Sequence, residues 1–258
     1  VRSRGGVGNK LASSPSKNPN KPVRIWRTWC SITPETIDGD YRNEIEKVNS
    51  QIQYINTIDY DIYQKNNELQ NEALEKYCVF LDEYLPYHPD FDLLNIKTIP
   101  PDSYYKSINT FFDQIEEKFN LKVLIAAHPK AILYKKINPF QGRQIVFNST
   151  SKLVKFSEFI IAHNTTSISF AILNSKQMLI VSTNDIKEKM PNYNILIDNN
   201  SFVIGTNFTY IESFNKTNFD LPIINKFKYE KFKYNFLTTK ESEFAISYEI
   251  ILNSIKKL

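Results

Sequence analysis

Three short apolar runs constrain this chain more than any other feature: Val123–Ala127, Phe159–Ala162 and Met178–Val181. Each is too short to be a helix of its own and is bounded by turn residues. That pattern suits parallel strands buried on both faces, which lack the alternation of half-solvated strands. Between the second and third runs lies TTSISFAILNSK, where Ile168, Ala171, Ile172 and Ser175 recur at helical spacing. The unit therefore reads strand–helix–strand. Its strands stop at His128-Pro129 and at His163-Asn164-Thr165-Thr166-Ser167. In a doubly wound sheet, strand carboxyl ends and the helix N-termini that follow them form the ligand crevice.

The flanking sequence extends the alternation. YCVFLDE predicts a strand ending at Asp82-Glu83, followed by a loop over 84–101 that holds four prolines and His88. A helix capped by Asp102 follows, with Tyr105, Ile108, Phe111, Phe112 and Ile115 on one buried stripe. Further strands are expected at Leu121–Ala127, Gln144–Phe147 and Phe208–Ile211, with a helix over Ser151–Phe156 and another after Thr183. Lys240–Leu258 reads as a closing helix through Phe244, Ile246, Ile250, Ile251 and Ile255. Strands alternating with helices predict an α/β, Rossmann-like three-layer sheet, mostly parallel.

At 258 residues the chain suits one large domain, and its first residue, Val rather than Met, reads as the start of a piece of a longer protein. Residues 1–22 carry three of the six glycines and no aromatic, which predicts a flexible basic tail. Residues 23–66 mix a strand-like VRIWRTW with a helical EIEKVNSQIQYI. They read as the remnant of a preceding domain or a docking segment, leaving 67–258 as the Rossmann-like domain. A net charge of +4 is too small to imply nucleic acid, but it suits an anionic ligand or peripheral contact with an anionic inner-membrane surface. Cys30 and Cys78 are far apart and lack a CxxC partner, which fits structural thiols in a reducing cytoplasm. There is neither an eighteen-residue apolar run nor a signal peptide.

All three histidines, His88, His128 and His163, fall at proposed strand ends or in the long loop. Their spacing matches no HExxH or Cys/His pattern, so no metal is assigned. Phosphate binding fits better. Pro129 ends a strand and fixes the backbone at His128. Lys130 can neutralise charge, and Thr165, Thr166 and Ser167 can cap a helix whose free amides attract an anion. Plain capping, and an imidazole bonded to a loop carbonyl, compete with that reading. Asp82-Glu83 can reach the same edge as a base or stand as a solvated strand end. Asp59 and Asp61 form a second acidic pair that reads more simply as a surface turn.

A histidine-proline pair after one strand, and about 35 residues later a strand ending before a Ser/Thr pair that opens a helix, resembles the donor domain of GT-B glycosyltransferases. The likeness is nearest to the CMP-sugar-using bacterial sialyl-, polysialyl- and Kdo-transferases of capsule and lipopolysaccharide synthesis. FLDEYLPYHPD, AAHPK and AHNTTSISFAIL together are similar to proteins of surface-carbohydrate gene clusters. The resemblance covers 77–183. It implies a GT-B-type C-terminal half and metal-independent, inverting transfer from a CMP-sugar donor substrate, with no further cofactor, to a glycan acceptor. His128 and Pro129 would form the motif at the donor phosphate, with Lys130, His163, Asn164, Thr165, Thr166 and Ser167 around it. The family's base comes from an acidic motif with a glycine, in an amino-terminal domain. Here Asp82-Glu83 is followed by Tyr84, and 1–66 is too short for that domain, so the base stays open among Asp82, Glu83 and His128. CDP-glycerol-dependent glycerophosphotransferases are similar in the same regions, and a non-catalytic nucleotide- or glycan-binding module is the alternative outside enzymes.

Overall fold

The computed structural model describes residues 24–25, 52–70 and 75–256. The basic tail 1–22, Cys30 and most of the helical reading over 44–55 lie outside them. Two short strands, β1 (Arg24–Ile25) and β2 (Ile52–Gln53), pair in parallel, so the last part of that helical stretch is extended.

The main sheet has six strands: β3 (Tyr77–Leu81), β4 (Lys122–Ala126), β5 (Ile145–Val146), β6 (Phe159–Ala162), β7 (Gln177–Ser182) and β8 (Phe208–Tyr210). Every pairing is parallel, in the order β5-β4-β3-β6-β7-β8, with helices on both faces. The apolar runs are strands for the reason their composition gives. Every residue of β3 and β6 is buried, a two-sided burial that suits a continuous apolar run. From β3 the chain steps outward through β4 to β5, then returns to the other side of β3 at β6. That reversal is the topological switch point where open α/β sheets bind ligands. In register, Leu81 pairs with Ala126 on one side and Ala162 on the other, so Asp82, Ala127 and His163 emerge level at the carboxyl edge.

The helices are α1 (Ile58–Lys65), α2 (Pro89–Leu93), α3 (Pro101–Phe119), α4 (Thr150–Phe156), α5 (Ile168–Leu173), α6 (Asn184–Lys189), α7 (Pro191–Ile204), α8 (Lys226–Phe232) and α9 (Ser247–Ile255). The predicted stripe of α3 is buried, joined by Tyr104 and Asn109. Its start differs from the expectation. Pro100 is the cap and Pro101 the first helical residue, where a missing N–H costs nothing; Asp102 stands inside the first turn. The loop over 84–101 is also not plain: it contains α2, whose cap is the His88 imidazole accepting from the Asp90 amide at 3.2 Å.

The carboxyl-terminal expectation needs the larger correction. Only Ser247–Ile255 is helical, none of it is buried, and Phe244 is 84% exposed. Instead, residues 237–247 are tied down by polar bonds to α1 and the turn before it. Asn56 Nδ2 donates to the Ala245 carbonyl at 2.7 Å and Thr238 Oγ1 to Asn56 Oδ1 at 2.6 Å. The Thr57 amide donates to the Leu237 carbonyl at 2.9 Å. Helix α1 also packs against α5. The Asp59 and Asp61 carboxylates serve this seam: Asp59 accepts from Ser169 Oγ at 2.5 Å, and Asp61 from the Ser247 amide at 3.0 Å. Residues 55–65, set apart by sequence reading, thus pack on the sheet domain.

Candidate functional site

The carboxyl edge is built outward from the end of β3. Tyr84 adopts φ +57, a left-handed bend unusual for a bulky residue. It turns the chain sharply where a dinucleotide-binding fold would carry a glycine-rich turn; none is present here. Asp82, just before the bend, is only 4% exposed. Tyr134 donates to its Oδ1 at 3.3 Å, while Oδ2 has no partner. Burial dominates and raises its pKa to about 7, against the pull of the nearby amides of Tyr84 and His128 and the Tyr134 hydroxyl. Tyr134 shares a second bond, 2.8 Å, with the Tyr105 hydroxyl. Since Tyr134 donates to the carboxylate, Tyr105 donates to Tyr134. The hydroxyl chain opens on a groove of about 420 Å³ lined by Tyr87, Tyr105, Asn109, Leu133, Tyr134 and Gln141 among others.

Glu83 faces the other way, across the switch point. Its Oε1 accepts the Asn164 amide at 2.5 Å and its Oε2 the Tyr193 hydroxyl. Burial raises its pKa to about 7 as well, with Tyr193 and the Asn164 amide pulling down and Asp82 pushing up. Both oxygens are committed, so Glu83 fastens β6 to β3.

The histidines divide sharply. His163 is fully buried. The Val181 carbonyl lies 2.6 Å from Nδ1, which must therefore be the donor, and Nε2 accepts from Tyr104 at 2.9 Å. Burial lowers its pKa to about 4. Read from sequence as an edge ligand, it is instead a neutral strut between β6, β7 and α3, with no ring nitrogen to offer.

His128 is half-buried, and its Nδ1 accepts from the Lys130 amide at 3.2 Å. His88 makes the same turn with the Asp90 amide at the same distance, and the two rings stand edge to face with centroids 4.8 Å apart. Lys130 is bonded to Asp90 at 2.7 Å, so its charge is paired. Pro129 is exposed between them. His88 was not among the residues expected to bind; the repeated His-Pro dipeptide, forty residues apart, was the signal that could have found it.

The turn after β6 differs from the expected anion cradle. Helix α5 has only six residues. The Asn164 amide goes to Glu83 and the Ser167 amide to Thr165 Oγ1 at 3.3 Å. The amides of Ile168, Ser169 and Phe170 go to the carbonyls of Thr165, Thr166 and Ser167. Ser167 caps nothing with its side chain. What remains at the turn is the hydroxyls and backbone amides of Thr165 and Thr166: Thr166 is exposed and Thr165 half-buried. Asn164 Oδ1 accepts from Asn200 at 2.6 Å. The structure thus brings Asp82 and His128 together on one side of β3, and puts Glu83 with Asn164 on the other.

Among the described residues no helix is long and apolar enough to cross a membrane, and no group of three or more His, Cys, Asp or Glu side chains is placed to share a metal ion. Cys78 is a buried free thiol in β3. No family model, no curated protein and no solved structure matches the chain, so the reading of the site rests on its own geometry.

Proposed function

We propose that the chain is the donor-binding lobe of an inverting, metal-independent glycosyltransferase that takes a CMP-activated sugar and passes it to a bacterial surface glycan of the capsule or lipopolysaccharide kind. The observation that carries the reading is the placement of His128 at the carboxyl edge of β4. It stands beside the switch point, with Nε2 free of any partner among the described residues and a carboxylate of pKa about 7 next to its backbone. His128 contacts the donor phosphate, and Thr165 and Thr166 reach it through their hydroxyls. Asp82 is the better placed base: it is bonded through Oδ1 only, whereas both Glu83 oxygens are engaged. In the transfer, the acceptor hydroxyl gives its proton through the Tyr105 and Tyr134 hydroxyls to Asp82 as its oxygen bonds to the anomeric carbon. The bond from that carbon to the phosphate breaks, and CMP leaves with the electron pair. The tyrosine-lined groove that leads through Tyr105 and Tyr134 to Asp82 is where the acceptor would lie. Work at the cytoplasmic surface of the inner membrane fits this role.

Calorimetric titration with CMP, CDP, UDP and GDP tests the reading. A ligand that binds only the folded chain raises stability by about 2.7 kcal/mol at a hundredfold excess over its Kd. Selective stabilisation by CMP, lost in His128→Ala, supports it. A preference for CDP points to a glycerophosphotransferase, and silence toward every nucleotide refutes donor binding by this lobe. A non-catalytic nucleotide-binding module is the second reading, favoured by the 4% exposure of Asp82. Slow hydrolysis of a CMP-sugar, abolished in Asp82→Asn while CMP still binds, decides for the enzyme.

A further inference from the structure

The two His-Pro turns carry an inference that rests on the donor-binding reading and deepens it. His88-Pro89-Asp90 and His128-Pro129-Lys130 come from different loops, one after β3 and one after β4, yet they fold alike. In each, proline follows the imidazole and Nδ1 accepts the amide two residues on, at 3.2 Å. An acceptor nitrogen carries no proton, so in the neutral ring the proton sits on Nε2. Neither Nε2 has a hydrogen-bond partner in the protein among the described residues. Desolvation holds both rings below the usual imidazole pKa. Asp90 raises each in turn and Lys130 lowers each, and His88 further lowers His128. Both therefore stay neutral near pH 7, and the turns keep their tautomers. The edge-to-face rings, with centroids 4.8 Å apart, set the two imidazoles side by side at the sheet edge. Of the two nearby carboxylates, Asp90 is already paired with Lys130 at 2.7 Å and Asp82 is buried beneath the His128 backbone, 4% exposed.

We infer that His88 and His128 form a two-donor clamp for one phosphate group, each imidazole presenting Nε2–H to a phosphate oxygen. The chemistry selects an anion over a cation. A metal ion at Nε2 would need that proton moved to Nδ1, where it would collide with the amide protons of Asp90 and Lys130. A phosphate oxygen needs only the donors already there. Phe91 packs against His88 at 5.7 Å and against Tyr193 at 6.0 Å, and Tyr193 bonds to Glu83. The clamp is thereby braced to the seam between β3 and β6.

The test is titration of the full chain with inorganic pyrophosphate, with CMP and with zinc chloride, in the wild type and in His88→Phe, His88→Gln, His128→Phe and His128→Gln. Phe keeps the ring and removes the donor; Gln restores an N–H at nearly the same reach. The clamp predicts that each Phe variant loses at least tenfold in pyrophosphate and CMP affinity. Each Gln variant should recover to within about fivefold of wild type, and zinc should bind no more tightly than to the Phe variants. Unchanged CMP affinity in His88→Phe, with binding lost in His128→Phe, would overturn the clamp while leaving the donor reading intact. Pyrophosphate binding that needs both histidines, without preference for CMP among nucleotides, would support the clamp and sink the donor reading. Zinc binding tighter than pyrophosphate and lost in both Phe variants would replace the clamp with a metal site. A Phe variant that fails to fold leaves the Gln variant as the arbiter: its urea midpoint matching wild type with affinity lost more than tenfold would also count against the clamp.

Discussion

His128 and His163 stand in matching places, each just past the end of a buried parallel strand, and do opposite things. His163 turns inward, gives both ring nitrogens to the protein, and binds β6 to β7 and α3. His128 closes its own short turn through Nδ1, and its Nε2 is unused among the described residues. The two carboxylates after β3 divide in the same way: Glu83 has both oxygens bonded and locks the β6 side, while Asp82 keeps one oxygen without a partner. One half of the switch point is a fastener and the other half has spare chemistry. Position at the edge therefore does not by itself mark a ligand residue; what decides is whether tertiary partners consume its polar atoms.

The largest effect should come from breaking the fastener. His163→Ala leaves the Tyr104 hydroxyl and the Val181 carbonyl buried without partners and opens a cavity, for a loss of about 3–5 kcal/mol in urea unfolding. A loss below about 1 kcal/mol would mean the ring is not a strut. The same residue gives a pH dependence of known sign. Its folded pKa, about 4, lies below the unfolded value of about 6.5, so the unfolded chain binds the extra proton between them. Stability from this residue is complete above about 6.5 and falls as pH drops toward 4, by roughly 3 kcal/mol.

The acids work in the opposite direction. Asp82, raised to about 7, destabilises the fold when it ionises, so its contribution is favourable at low pH and is lost as pH rises from about 4 through 7. Asp82→Asn should therefore stabilise the chain by roughly 2–4 kcal/mol at pH 8 and change little at pH 4. Paired urea titrations at the two pH values measure this, and equal effects at both would contradict it. If the proposed transferase reading holds, hydrolysis of a CMP-sugar should be lost in that variant even as stability rises, the trade expected of a buried functional acid.

Much of this was legible beforehand, and the misses share a cause. The continuous apolar runs gave β3, β4, β6 and β7 nearly to the residue, because two-sided burial suits a continuous apolar run. The stripe Tyr105–Ile115 gave α3. His163 was misread because its partners, Tyr104 and Val181, come from elements that sequence cannot bring together; only the packed sheet does. Helix α2 was missed because its cap is an imidazole, outside the usual Ser, Thr, Asp and Asn set. The cradle at 165–167 is narrower than its sequence suggests, since a Thr-Thr-Ser run does not show that the amides from Ser167 to Phe170 are spent in a tight turn. Helix α9 shows apolar spacing, but even its Ile250, Ile251 and Leu252 are only half-buried.

Smaller effects sharpen the division. His128→Phe, at a partly buried loop residue, should cost less than about 1 kcal/mol in urea unfolding, and His88→Phe, which also removes the cap of α2, about 0.5–2 kcal/mol, despite large losses in binding. Thr166→Ala, at an exposed hydroxyl, should leave stability within about 0.5 kcal/mol and weaken CMP by about tenfold, one solvent-exposed hydrogen bond to a charged phosphate. A greater loss would return the β6 turn to the centre of the site.

The most direct test is a long-range proton–nitrogen spectrum of the three imidazoles, recorded with and without CMP. The account predicts Nε2–H tautomers for His88 and His128 and the Nδ1–H tautomer for His163. On addition of CMP the first two Nε2 resonances should move, while those of His163 stay fixed. Resonances of His163 that shift with CMP while those of His88 and His128 do not would place the ligand on the other side of β3 and contradict the account.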